Sequence, residues 1–396
     1  MKLHAPILLL AVCMAAGIAL SQWVAPWYSV LWGLVPLVFA TALMRRRPRW
    51  QTVGVHLCAL LLGMLVGGFQ QQAAPAESLF FSRVQGLFLY WREGLLDRYA
   101  QWGIGGDAYG VVAAMTLGDK SYLTDEVKET FAQTGAAHVL ALSGMHLMIV
   151  YSAVTLLFGW QRFRLLAQGL MVCSVWAFAF LVGMSASVTR AAFMLTVYAA
   201  LSLGHRERMS VNTLAFAAVV MLAVSPASLR SVSFQLSFMA VLAILLFNPL
   251  LQRLVPRRLL RRHRWLRLLW GLTTVSLSAQ LGTAPLVAYY FDRFSTYFLL
   301  SNYIVIPLAT LVLYLTLACV AVSWSSLLAG ALVPLLVGTV TLMSRLLAWV
   351  SRLPGSSIEG IGLPLAAVYL IYIIMGSVWV TVTLFLPRYR RRGRLR

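Results

Sequence analysis

Apolar side chains run almost without interruption through twelve stretches of this chain, at residues 5–21, 28–44, 53–69, 139–158, 165–182, 187–203, 211–225, 232–250, 271–290, 299–321, 327–350 and 365–386. A helix of about 20 such residues covers the roughly 30 Å of a bilayer's hydrocarbon core. The pattern therefore predicts an all-α polytopic membrane protein with about 12 transmembrane helices. The first stretch, after Lys2, also has the small residues Ala16 and Ala19 that suit a signal peptidase. A second apolar stretch follows so closely that an uncleaved first crossing is the better reading.

The pattern changes between Gln70 and Ala137. Eight of the eleven acidic residues fall there, and no uninterrupted apolar span does. Residues 79–102 mix Phe80, Phe81, Phe88, Tyr90, Trp91, Tyr99 and Trp102 with Arg83, Arg92 and Arg98, the pattern of an amphipathic helix lying along a membrane surface. Residues 107–117 predict a short helix stopped by Gly118 and Asp119. Thr124 then offers an N-cap, with Asp125 and Glu126 in the first turn where negative charge suits the helix dipole, and that helix ends near Gly135.

Composition strengthens the membrane reading. Hydrophobic residues make up 61% of 396 and charged residues 11%, with a mean hydropathy of +0.82, well outside the range of soluble domains. The net charge of +21 changes the picture only through its placement. With a cytoplasmic N-terminus, alternation of the crossings puts the basic residues around Arg45 and Arg46, Arg162, Arg206 and Arg208, 253–267 and 388–396 on one side. Those segments hold 21 arginines out of 32 basic residues, so the positive-inside rule accounts for most of the excess and puts both termini in the cytoplasm. The acidic segment then faces outward. Residues 253–270, with Trp265 and Trp270, read as a membrane-surface anchor, nucleic-acid contact being the other reading. Cys13, Cys58, Cys173 and Cys319 lie in apolar segments without metal-ligand spacing and read as small buried hydrophobes.

Candidate chemistry gathers in HVLALSGMHLMIV, residues 138–150. Ser143 and His146, three apart, share a helix face, and His138 falls near the same side. Gly144 weakens the helix between them and suggests a broken or re-entrant element. Three readings remain open for this set: a nucleophile and base, although no carboxylate adjoins them; close helix packing through Ala137, Ala141, Ser143 and Gly144; or the lining and gate of a translocation path. Arg190, after Ser185, Ser187 and Thr189, is either a snorkelling side chain or a fixed charge for an anion. Gln235, Gln280 and Asn302 complete the polar set. Pro249, Pro285 and Pro307 predict helix breaks where a substrate could pass. No nucleotide-binding loop, H-E-x-x-H or Cys/His cluster occurs, so neither an enzyme, nor a cofactor, nor a metal is expected.

Six segments then carry a resemblance. LGDKSYL (117–123), TGAAHVLALSGMHL (134–147), SVTRAAFM (187–194), SFQLSFMAVLAIL (233–245), SAQLGTAPL (278–286) and SNYIVIPLATL (301–311) resemble, in this order, the membrane competence domain of the bacterial ComEC proteins over roughly 107–350. The resemblance implies a multi-pass inner-membrane channel through which single-stranded DNA enters the cytoplasm during natural transformation. It also implies that His138, Ser143, Gly144, His146, Arg190, Gln235, Gln280, Pro285, Asn302 and Pro307 are pore or structural positions. The implied organisation is three N-terminal helices (1–70), an extracytoplasmic amphipathic segment (71–106), the channel domain (107–386) and a basic cytoplasmic tail (387–396). Full-length relatives also resemble a three-part protein, with OB-like and metallo-β-lactamase-like domains that have no counterpart in these residues. The partners implied are membrane lipid, a DNA receptor, a separate nuclease, a cytoplasmic motor or DNA-binding protein, and further copies of the chain. A secondary transporter of a small anionic solute would use the same polar path.

Overall fold

The computed structural model describes residues 6–23, 26–44, 47–72, 79–158, 164–203 and 210–392. Arg45, Arg46, Arg162, Arg206, Arg208, Arg394 and Arg396 of the expected basic segments lie outside them. The described chain is helical apart from one short ribbon and its connections, which agrees with an all-α membrane protein. It divides into two compact units, one formed by 1–78 and 193–242, the other by 79–192 and 243–396.

The first unit contains α1 (Pro6–Leu20), α2 (Val30–Leu43) and α3 (Pro48–Gln72). These helices carry apolar residues all round, so packing selectivity comes from small residues rather than from an amphipathic stripe. A Cβ at Gly17 would run into the carbonyl oxygen of Leu60, and one at Gly63 into that of Met14. Substitution at either position would therefore separate α1 from α3.

The second unit begins with α4 (Leu79–Gln101), α5 (Gly106–Leu117), α6 (Asp125–Gln133), α7 (Ala137–Leu140), α8 (Gly144–Phe158) and α9 (Arg164–Leu181), followed by α10 (Ala186–Leu203). Residues of α10 from Phe193 onward belong to the first unit, together with α11 (Val211–Val224) and most of α12 (Val232–Leu251). In that unit Met14, Ile18, Leu222 and Phe234 form a small core, and Gln70 Nε2 donates to the Val224 carbonyl at 2.9 Å.

The second unit resumes with α13 (Arg257–Arg262), α14 (Arg264–Phe291), β1 (Arg293–Ser295), α15 (Phe298–Ala321), α16 (Ser326–Ser351), β2 (Ser357–Glu359) and α17 (Leu365–Arg392). β1 and β2 pair antiparallel, Arg293 opposite Glu359 and Ser295 opposite Ser357. The ribbon is closed at one end by Asp292, whose φ of 51° turns the chain so that its Oδ1 accepts from Gly362 N–H at 2.6 Å.

Among the described residues five helices are long and apolar enough to cross a membrane, namely Pro48–Gln70, Val232–Leu251, Phe298–Ala321, Ser326–Ser351 and Leu365–Phe385, and five shorter apolar helices accompany them. Twelve crossings are therefore not reached on length and hydropathy, and the expected crossing 139–158 is broken between Leu140 and Gly144.

The core of the second unit is α5. Val111 to Met115 are fully sealed, packed in one cluster with Val305, Ala309 and Val312 of α15 and with Leu336, Val340 and Met343 of α16. α4 adds Tyr99, whose hydroxyl shares a 3.1 Å hydrogen bond with Thr116. The segment α4–α6 also touches both ends of α15. Arg98 donates to Ser323 Oγ at 2.9 Å just past its C-terminus, while Arg293, just before its N-terminus, pairs with Glu129 and Glu359, each at 2.9 Å. α15 is about 36 Å long at 1.5 Å per residue. The segment reaches both of its ends through α4 at one and α6 at the other, with α5 packed between them against Val305, Ala309 and Val312.

Pro249, Pro285 and Pro307, expected as helix breaks, lie inside the uninterrupted helices α12, α14 and α15. Proline lacks the N–H and crowds the preceding turn, weakening the hydrogen bonds of carbonyls three and four residues back. In two cases α17 supplies an added donor to the carbonyl three back. Trp379 Nε1 donates to Leu246 O at 3.0 Å and Tyr372 OH to Gly282 O at 2.7 Å. Each of these carbonyls lies three residues before a proline, and such side-chain donors let a helix continue through proline in an apolar surrounding.

Candidate functional site

The breaks lie elsewhere, and they coincide. α5 ends at Gly118, whose φ of 75° lies in the left-handed region that favours glycine, and the N–H groups of 118 and 119 turn back to Ala114 and Ala113. A Cβ there would fall 2.6 Å from Leu142 Cδ1 and 3.7 Å from the Val182 carbonyl oxygen. Leu142 precedes the start of α8, and Val182 follows the end of α9. Gly183 and Met184 then take φ of 77° and 55°, a conformation uncommon for a residue such as methionine. α10 starts two residues on, and a Cβ at Gly144 would contact Ala191 Cβ at 3.5 Å. The ends of α5 and α9 and the starts of α8 and α10 thus meet within the second unit.

An ion pair sits at this meeting point. Arg92 Nη2 donates to Asp119 Oδ2 at 2.8 Å, and Ser121 donates to Asp119 Oδ1 through its N–H at 3.0 Å and its hydroxyl at 2.5 Å. Arg92 also approaches Gly183. It therefore ties α4 to the turn after α5 and to the turn after α9. Neither residue stands out in the sequence: Asp119 belongs to the LGDKSYL segment, but its partner is 27 residues away on another helix.

Ser143 and His146 lie beside it, and their geometry is that of a helix start. Ser143 N–H donates to His146 Nδ1 at 3.1 Å, and Ser143 Oγ lies 3.2 Å from the same atom. A backbone N–H can only donate, so Nδ1 is the acceptor and the ring proton resides on Nε2. This is one half of a capping box, the third helical side chain accepting from the N-cap N–H, with histidine in the place usually held by glutamate or glutamine; the His146 N–H itself donates to the Ser143 carbonyl at 3.1 Å. His146 is fully sealed, and its Nε2 has no hydrogen-bond partner among the described residues. The Nδ1 lone pair that would take a proton from the serine hydroxyl is already engaged by the backbone, and no carboxylate orients the ring. The pair fixes where α8 begins.

The other sequence candidates divide. Arg190 is 4% exposed, so its side chain is enclosed by protein rather than reaching out along the helix surface. His138 lies on α7, with its Nδ1 3.0 Å from the Gly135 carbonyl. The two imidazoles stand on either side of the break at Ala141–Ser143, His138 exposed and His146 sealed, yet close enough to act on one another electrostatically. Gln235 belongs to the first unit, where it donates to Leu229 O at 3.0 Å. Gln280 is half-buried on α14, and Asn302, on the first turn of α15, has a buried Oδ1 without a hydrogen-bond partner among the described residues. Among the described residues no three His, Cys, Asp or Glu side chains are grouped to hold a metal ion.

The family model described as "Competence protein" matches residues 115–385, a range that contains Asp119, Ser143, His146 and Arg190. ComE operon protein 3 of Bacillus subtilis (strain 168) is 32% identical over 207 residues, covering 52% of this chain and 25% of that protein. A protein of Aquifex aeolicus (strain VF5) is 35% identical over 169 residues, covering 43% of this chain and 37% of that one. The matched regions thus span a quarter and somewhat over a third of these relatives. No solved structure matches the chain.

Proposed function

The chain belongs to the competence protein family, and from that membership we propose that it acts in natural transformation as a multi-pass protein of the inner membrane, forming the path by which single-stranded DNA reaches the cytoplasm. The observation that carries this reading is that the family match encloses the meeting point of four helix ends. Discontinuous helices of this kind occur in membrane proteins where a polar substrate passes. A strand of phosphates needs a hydrated route with donors and positive charge, and Arg190, a buried arginine early in α10, is a source of such charge on one of the helices that meet there. On this reading the chain makes and breaks no covalent bond and holds no cofactor. Degradation of the second strand and the driving force come from other proteins, and both termini face the cytoplasm.

Deleting the gene in a competent host tests the reading directly. Transformation by added chromosomal DNA is expected to fall by several orders of magnitude and to return with a plasmid copy; unchanged transformation removes the proposal. Purified protein in liposomes separates it from an anion transporter. Passage of labelled oligonucleotides supports the DNA path, and saturable uptake of a small anion with no oligonucleotide passage supports the transporter.

A further inference from the structure

The segment between α12 and α14 is the most strongly charged surface of the described chain and has no part in the site above. Arg257, Arg258, Arg261 and Arg262 lie on α13, and Arg253, Arg264 and Arg267 flank it. Successive helix positions turn by about 100°, so the four arginines of RRLLRR occupy one side of α13 and Leu259 and Leu260 the other. No residue of α13 is buried. Leu259 is 44% exposed, and Trp265, on the first turn of α14, 63%. The apolar face of α13 is thus not turned into the protein. The sequence holds no acidic residue from 208 to 291, and none of the ion pairs among the described residues involves these arginines.

The geometry points to α13 as a helix that lies in the membrane interface and binds anionic phospholipid headgroups. α12 is long and apolar enough to cross the membrane, and α13 follows its end after five residues, a linker of at most about 17 Å when extended. The basic face is held within reach of the headgroups. A short helix with arginines on one side and leucines on the other places its leucines at the acyl boundary and its guanidinium groups among the phosphates. Each guanidinium donates in a planar fork that matches phosphate oxygens. Trp265 and Leu268, exposed on the next helix, sit at the depth where indole rings anchor.

Native mass spectrometry of the full chain in detergent, with equimolar phosphatidylglycerol and phosphatidylcholine added, reads the preference. The wild type is expected to retain phosphatidylglycerol about tenfold over phosphatidylcholine, and the R257Q/R258Q/R261Q/R262Q variant to retain the two almost equally. The corresponding four-lysine variant keeps the charge and should keep most of the preference. If the glutamine variant does not purify as a monodisperse species, the pair R261Q/R262Q serves, with a preference reduced severalfold. Equal retention by the wild type, or an undiminished preference in the glutamine variants, overturns the proposal. So does a third outcome: oligonucleotide binding in phosphatidylcholine nanodiscs that disappears in the variants while the lipid preference stays, which would make the face a nucleic-acid contact.

Discussion

In the α15–α16 hairpin, helices of 24 and 26 residues lie against each other across a four-residue turn. Beside it, the residues from α5 to the start of α10 form shorter helices whose ends meet at Gly118, Leu142–Gly144 and Val182–Met184. Apolar side chains fill both regions. The difference is where the backbone finds its hydrogen bonds. A long helix satisfies its own groups, and leaves unpaired ones only at ends lying in water or headgroups. The interrupted region leaves such groups inside the unit. It meets them with left-handed turns, the Ser143–His146 cap and the carboxylate of Asp119. Continuity gives a rigid support, and interruption gives places where a polar substrate can meet backbone and charge.

The contrast can be broken most severely at Gly118. Val there would need a left-handed φ and room now held by Leu142, and Gly118→Val is expected to lose about 3 kcal/mol or more, read as a lower temperature of unfolding in detergent by tryptophan fluorescence. Asp119→Asn keeps the shape but removes the charge facing Arg92; a loss of about 2 kcal/mol is expected by the same measurement, with Arg92→Ala no worse in the Asn background than in the wild type. His146 separates capping from other roles. Gln keeps an acceptor at the third helical position, so His146→Gln should retain folding and transformation, while His146→Leu, which leaves Ser143 N–H without its acceptor, should lose about 1–2 kcal/mol. If Gln fails in transformation while folding normally, the imidazole itself has a task. At the small end, Gly338 lies inside α16 with open space where its Cβ would be, and Gly338→Ala should raise stability by about 0.5–1 kcal/mol, a gain that Gly118, with its left-handed φ, cannot give.

Much of the long-helix framework is legible in the chain because a continuous apolar run of more than 18 residues finds a stable home in few places besides a bilayer-spanning helix. The interruption at HVLALSGMH is legible too, since a serine, a glycine and two histidines cannot all be absorbed by an apolar helix. α5 is not. DAYGVVAAMTL reads as a modest helix at the edge of an acidic segment, and its place at the centre follows from partners about 190 to 230 residues later, Val305 to Met343. The pairing of Arg92 with Asp119 is hidden for the same reason. Pro249 and Pro285 mislead because a proline announces a lost hydrogen bond but not the donor on a distant helix that supports the weakened turn beside it.

The donors on α17 carry one more consequence, for the order in which the protein is made. Trp379 and Tyr372 leave the ribosome 133 and 90 positions after the carbonyls of Leu246 and Gly282 that they serve. Until α17 enters the bilayer, both carbonyls stand next to lipid without these donors. α12 and α14 therefore wait in a provisional state, open to an insertase or to quality-control proteases, and the arrival of α17 is the step that commits them.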